Sequence, residues 1–316
     1  MENLPLVQTF SNFDEFSHLL RAWNIDFRQL DSGEFRTDML EFASSTSLLT
    51  HVRFNRLLDQ FGASPPGRWT FGIFSRHSTS VIWHEQEISN DTVVVYRPGT
   101  ELDSVSRPGF EVFALSYTEE HLNAICSYMH LPEVRVLLQG SDHFACSCPD
   151  LAKSRLQLHR MAEAIRCLST EEEYTSLTHC LDFELPELIL SALAGSRPGK
   201  DCRPNLRTRS IQLVKEHLAA HPGEPVTVSQ LCGITRVSER TLQYAFREQY
   251  SVSPKTYLKN FRLNGARREL FSSDLDTIRV NDVASIWGFW HMGQFASDYR
   301  KLFGELPSDT LKQHKS

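Results

Sequence analysis

The sequence predicts an α+β chain: an N-terminal antiparallel, barrel-like β domain with a helical pair after it, then an all-α domain containing two helix-turn-helix units. Three observations carry this. Residues 30–125 hold short runs rich in β-branched and aromatic side chains, broken by Pro, Gly and Asn-Asp turn signals. Residues 194–205 combine two prolines and two glycines with no apolar periodicity, which marks a linker. Beyond it, the chain repeats itself at an offset of 52 to 53 residues.

Composition limits the alternatives. A 316-residue chain with 41% hydrophobic and 23% charged residues is neither disordered, collagen-like nor a coiled coil. No apolar run approaches the ~18–20 residues of a membrane helix. The start, Met1-Glu2-Asn3-Leu4-Pro5, lacks the basic and apolar regions of a secretory signal. A cytoplasmic protein with no membrane partner is therefore expected. The seven cysteines (126, 146, 148, 167, 180, 202 and 232) include no CxxC pair. His143-Phe-Ala-Cys146-Ser-Cys148 is their nearest approach to a site, and it reads as reduced thiols in a loop. No metal and no cofactor are expected.

The net charge of −6 is unevenly spread. Residues 201–316 hold 17 Lys and Arg against 12 Asp and Glu, leaving 16 against 27 in the first 200. One half thus suits a polyanion better than the other.

In the β-rich region, 1–148, the runs Trp69–Phe74, Ser80–Trp83 and Thr92–Tyr96 read as strands, with turns at Arg97-Pro-Gly99 and Arg107-Pro-Gly109. Trp69, Phe71, Phe74, Trp83, Tyr96, Phe110 and Phe113 fill a core or line a ligand cavity. No GxGxxG, P-loop, HExxH or GxSxG motif occurs there. His84-Glu85 and the Cys146/Cys148 pair lack a nucleophile–base or metal-triad spacing, so no catalytic residue is assigned. Residues 149–193 read as a helical dimerisation element. Leu158, Met161, Ile165 and Leu168 step by three and four along one helix. Glu171-Glu172-Glu173 opens a second helix, which Pro186 ends or kinks near Leu185.

The C-terminal domain, 206–316, carries the repeat. Val228, Leu231 and Cys232 recur as Val280, Val283 and Ala284; Leu242, Phe246 and Pro254 recur as Phe295, Tyr299 and Pro307. The copies, about 227–250 and 280–303, are each a short helix, a turn and a longer helix, the second turn being one residue longer. Thr227 and Ser238 suit N-caps. Gly288 suits a turn needing positive φ, where the first copy has Arg236.

On the helix from Ser238 to Tyr250, Leu242, Ala245 and Phe246 share the apolar side. Arg240, Gln243, Tyr244 and Arg247 form the opposite stripe, whose groups suit base edges and phosphates of double-stranded DNA. Transferred by 53 residues, Arg240, Gln243 and Tyr244 become Gly293, Ala296 and Ser297, while Arg247 becomes Arg300. His291 and Gln294 are then the second helix's base readers. Ser238, Arg247, Ser297, Arg300 and Lys301 are assigned to phosphates.

Gly288-Phe289, Phe295, Tyr299-Arg-Lys-Leu-Phe-Gly304 and Pro307, downstream of Asp282-Val-Ala284, resemble the signature of the AraC/XylS transcription regulators. Val237-Ser238 to Phe246, Ser253-Pro254, Tyr257-Leu258, Arg262-Leu263 and Ala266-Arg267-Arg268 are similar to the family's first copy. Glu224-Pro-Val-Thr, Arg262-Leu-Asn and Trp287-Gly-Phe-Trp-His291 resemble the branch containing the ethanolamine-operon regulator. The resemblance spans roughly 207–312. It implies a seven-helix DNA-binding domain with a long connecting helix packed through Leu263, Ala266 and Leu270. It also implies an N-terminal β-barrel that binds a small-molecule effector, a homodimer and, for an activator, RNA polymerase as partner.

Overall fold

A computed structural model describes residues 5–20, 22–146, 148–199, 205–273 and 278–313. The strands are β1 (Leu6–Phe10), β2 (Asn24–Gln29), β3 (Thr37–Ala43), β4 (Ser47–Phe54), β5 (Leu58–Ala63), β6 (Arg68–Phe74), β7 (Val81–Trp83), β8 (Gln86–Ile88), β9 (Thr92–Tyr96), β10 (Glu101–Ser106), β11 (Phe110–Thr118), β12 (His143–Ala145) and β13 (Arg197–Pro198). They form two open antiparallel sheets, in the orders β1-β3-β4-β11-β6-β9-β12-β13 and β2-β5-β10-β7-β8. The barrel-like expectation is corrected to this extent: neither sheet closes on itself. Phe27, Leu102 and Trp83 of the smaller sheet share one apolar layer with Val52, Phe54, Phe74 and Phe110 of the larger.

Alternation along β6 explains the larger sheet's two dry faces. Phe74 points toward the second sheet, while Trp69, Phe71 and Ile73 point the other way, onto helices. Helices α1 (Phe13–Leu19), α2 (Glu119–Tyr128) and α3 (Val134–Leu137) precede the predicted helical element. That element consists of α4 (Pro149–Arg166), α5 (Glu171–His179) and α6 (Leu185–Ala194). A capping box between Thr170 and Glu173 starts α5. Pro186 neither ends nor breaks the run. A π-helical turn, Cys180–Glu184, absorbs the irregularity and places Pro186 in the first turn of α6, where its missing N–H costs nothing.

The predicted dimer stripe is corrected. Leu158, Met161 and Ile165 are 0%, 3% and 2% exposed and pack with Phe71, Leu185 and Ile189 inside the chain's own core; Leu168 packs against the same cluster. The apolar face of α4 covers the larger sheet, which would otherwise expose Phe71, Ile73 and Leu115.

Of the linker predicted over 194–205, residues 200–204 lie outside the described residues. Arg197 and Pro198 are not irregular but pair with Ala145 and Phe144. Helices α7 (Leu206–Ala220), α8 (Val228–Thr235), α9 (Glu239–Tyr250), α10 (Pro254–Ser272), α11 (Val280–Ile286), α12 (Met292–Phe303) and α13 (Pro307–Gln313) follow. Gly265 of α10 is required by packing: a Cβ there would sit 2.2 Å from the Trp287 ring, whose indole nitrogen donates to Glu269 at 2.7 Å.

The two halves on either side of the linker pack against each other. Ile82 and Val105 of the smaller sheet pack with Ile211 and Val214 of α7. The Asn264 side-chain amide completes the β2 edge, accepting from Gln29 N and donating to Gln29 O, both at 2.9 Å. Asn260 Nδ2 donates to Leu30 O at 2.7 Å, and Tyr257 Oη to Asp59 Oδ2 at 2.9 Å. Polar residues buried on α10 therefore have their partners in the N-terminal half, a pairing that sequence periodicity does not encode.

Candidate nucleic-acid interface

Helix α9 begins at Ser238, whose side chain accepts from Thr241 N at 3.2 Å. Leu242, Ala245 and Phe246 are buried, while Arg240, Gln243, Tyr244 and Arg247 are exposed. The residues thus fall on the two sides that the 100° step predicts. The preceding turn also holds: Arg236 adopts φ +55°, the left-handed region that Gly288 occupies at +73°. An arginine meets the turn's demand at some conformational cost, and the geometry of the first unit is preserved.

Within the stripe the polar groups pair with one another. Arg240 Nη2 donates to Tyr244 Oη at 3.3 Å, with its guanidinium 5.5 Å from the ring centre. Arg207, at the start of α7, lies 5.6 Å from the same ring and pairs with exposed Glu248 at 2.9 Å. Gln243 donates to Glu239 at 3.3 Å. These contacts sit in water and exchange readily for base or phosphate partners.

On α12, Phe295, Tyr299, Leu302 and Phe303 are buried; Gln294, Ser297, Arg300 and Lys301 are exposed, as is His291 at the N-cap. One acid interrupts the cationic surface. Asp298 is partly buried, which opposes ionisation, yet bonds from Lys259 (2.8 Å) and Gln294 and the nearby Lys301 hold its carboxyl below the usual range. Among the described residues, all the base and phosphate candidates on α9 and α12 are open to solvent. Two groups escaped the sequence reading. Arg207 comes from a helix outside the repeat, so no pattern in either copy flags it. Trp290, 75% exposed, is the surplus residue of the longer second turn.

The N-terminal half encloses an apolar cavity of about 60 Å³ between its sheets, lined by Phe16, Trp23, Phe27, Thr50, Trp83 and Tyr96 among others. Phe71 and Phe113 do not reach it; they face the helices. The buried Thr50 hydroxyl has no hydrogen-bond partner among the described residues. Among those residues, no cluster of three or more His, Cys, Asp or Glu is placed to hold a metal ion. Burial pushes the Cys146 thiol up to about 11, the reverse of an activated nucleophile.

A family model described as a helix-turn-helix domain matches residues 231–313, which span α8 to α13. The probable thc operon regulatory protein of Rhodococcus erythropolis is 36% identical over 102 residues, 32% of this chain and 31% of that protein. The XylDLEGF operon transcriptional activator of Pseudomonas putida is 34% identical over 107 residues, 34% of this chain and 32% of that protein. The chain belongs to the AraC/XylS family. Its match spans about a third of the length of these relatives, and they do not support the finer placement in the ethanolamine-operon branch. The AraC-like transcriptional activator CuxR is similar in structure with a TM-score of 0.44, 14% identity, and coverage of 84% of this chain and 96% of CuxR.

Proposed function

We propose that this AraC/XylS-family chain is a sequence-specific DNA-binding transcription regulator that acts as an activator in a bacterial catabolic or virulence programme. One observation carries the reading: α9 and α12 bury their apolar sides and leave the arginine, amide and imidazole groups open. The activator assignment is supported by the names of the Pseudomonas putida relatives. In this reading Arg240, Gln243, Tyr244, His291 and Gln294 read bases, and Arg247, Ser297, Arg300 and Lys301 hold phosphates. Ser238 contributes through the helix start it caps, with Arg207 added from α7.

Effector control fits the cavity between the sheets. Its walls include α1 and β2, and β2 is the strand that Asn264 and Asn260 grip. A small, mostly apolar molecule with one polar group would fill the cavity and satisfy Thr50. Such a ligand acts only to the extent that it binds one domain arrangement better than another. A homodimer remains part of the reading. With the α4 stripe inside the core, Leu156 and Phe183, 52% and 47% exposed, are the apolar residues that the helical element leaves for a second copy. RNA polymerase is the partner that activation requires, and the cytoplasm is its place. Among the described residues no helix is long and apolar enough to cross a membrane.

Salt-dependent binding of the full chain to promoter DNA tests the reading. Binding that weakens steeply with salt supports it; a folded chain that binds no duplex overturns it.

A further inference from the structure

The two helix pairs differ at one point in their turns. In the first, one residue, Val237, separates left-handed Arg236 from the capping Ser238. In the second, Phe289 and Trp290 separate left-handed Gly288 from His291 at the N-cap. Phe289 takes the place of Val237, because both tuck inward: Val237 is 9% exposed and the Phe289 ring lies 5.0 Å from that of Phe295. Trp290 is therefore the residue without a counterpart, and its indole stands 75% exposed.

The turn presenting it is firmly held. Gly288 N donates to Ser285 O at 3.0 Å and Phe289 N to Ala284 O at 2.8 Å, while the Arg262 guanidinium lies 5.1 Å from the Phe289 ring. A large apolar group fixed in water at the start of a helix gains most from a partner that covers it. A second observation points the same way. Gly293, in the first turn of α12, has ordinary helical backbone, and a Cβ there would meet nothing within 4 Å. The fold has no use for glycine at that position, where alanine would favour the helix. With Ala296 and Ser297 one turn on, the start of α12 is a bare patch beside a projecting indole.

Building on the DNA-binding reading, we propose that Trp290 and the bare backbone at Gly293 form a contact for the C5-methyl group of a thymine, which sets base preference at the second helix. The N-terminal end of a recognition helix is the end that meets base edges. The thymine methyl is the apolar group that those edges offer in the major groove. Glycine lets the helix start lie close enough for the indole to cover it.

The test uses the full chain and a duplex enriched by it from a random pool. Each thymine is replaced in turn by uracil, which lacks only the methyl. At one position the native chain should lose about fourfold in affinity, the worth of one buried methyl. Trp290→Ala should bind the thymine duplex more weakly and show no further loss with uracil, whereas Trp290→Phe should keep part of the discrimination. Gly293→Ala should melt no lower than the native chain yet bind DNA more weakly. The proposal is overturned if Trp290→Ala binds as the native chain does, or if uracil costs both proteins equally, the mark of sugar or phosphate packing. A folded chain that binds no duplex would overturn the DNA-binding reading along with it.

Discussion

Arg267 and Asp14, 253 residues apart, share an ion pair of 2.9 Å with their side chains only 3% and 7% exposed. The same guanidinium bonds Asn12 at 3.0 Å, pairs with Glu305, and lies 4.9 Å from the rings of both Phe13 and Phe303. One side chain of the connecting helix thus joins α1 of the N-terminal half to α12 and α13 of the C-terminal half. Burial raises the Asp14 carboxyl's pKa despite the opposing pull of Arg267. Removing the arginine would leave that carboxyl buried without its cation. Arg267→Met should cost about 3–5 kcal/mol, seen as a lower melting temperature. Adding Asp14→Leu should restore part of the loss, and simple additivity of the two changes would contradict the pairing.

A second contact between the halves responds to pH. Lys215 of α7 reaches Asp59, 3.5 Å away, and Asp103 in the smaller sheet. Glu85, on the turn beside Asp103, is half-buried, and its Oε1 has no hydrogen-bond partner among the described residues. Burial and the Asp103 charge push its carboxyl up to about 7, with Lys215 pulling weakly the other way. The folded chain therefore holds a proton that the unfolded chain has already lost above about 4.5. Stability should fall as pH rises from about 4.5 to 7 and level off beyond, since the folded state binds the extra proton in that window. Glu85→Gln should flatten this fall in a melting series. An unchanged slope would mean that Glu85 ionises freely.

Leu158 supports the fold and not an interface between copies. Leu158→Ala should lower stability by about 2–5 kcal/mol, as cavity-forming core substitutions do. Sedimentation of the surviving folded protein should show the native oligomeric state. Loss of a dimer with stability intact would return the stripe to the surface.

In the proposed function α9 and α12 differ in what they contribute to binding. Arg240→Ala and Gln243→Ala should relax base preference at particular positions, by about 1–3 kcal/mol against the preferred base. Arg300→Ala should weaken binding to all sequences alike and lower the salt slope by about 1. Binding-site selection with each variant decides this: a shifted motif from Arg300→Ala, with none from Arg240→Ala, would reverse the roles.

What the sequence disclosed follows from the range of the interactions involved. Helix starts at Thr227 and Ser238, the buried Leu242 and Phe246, and the duplicated unit are set by neighbours a few residues away, so spacing exposes them. The clasp between the halves depends on pairs such as Gln29–Asn264 and Asp59–Tyr257, which lie 235 and 198 residues apart. No local pattern records those partners. The α4 stripe shows the same limit from the other side. Its period correctly identified an apolar face, but Leu158 and Ile165 look alike whether a sheet or a second copy covers them. Arg236 taught the opposite lesson: the tertiary frame holds a left-handed turn without the glycine that propensity asks for.

Sequence-specific DNA recognition by this chain is measured most directly by selecting binding sites from a random DNA pool with the full chain. With both α9 and α12 reading bases, the enriched sequence should hold two blocks of preferred bases about one helical turn, roughly 10 base pairs, apart, one block shifting with Arg240→Ala and the other with Gln294→Ala. A folded chain that enriches nothing over the starting pool, or whose motif both variants leave intact, would contradict this reading.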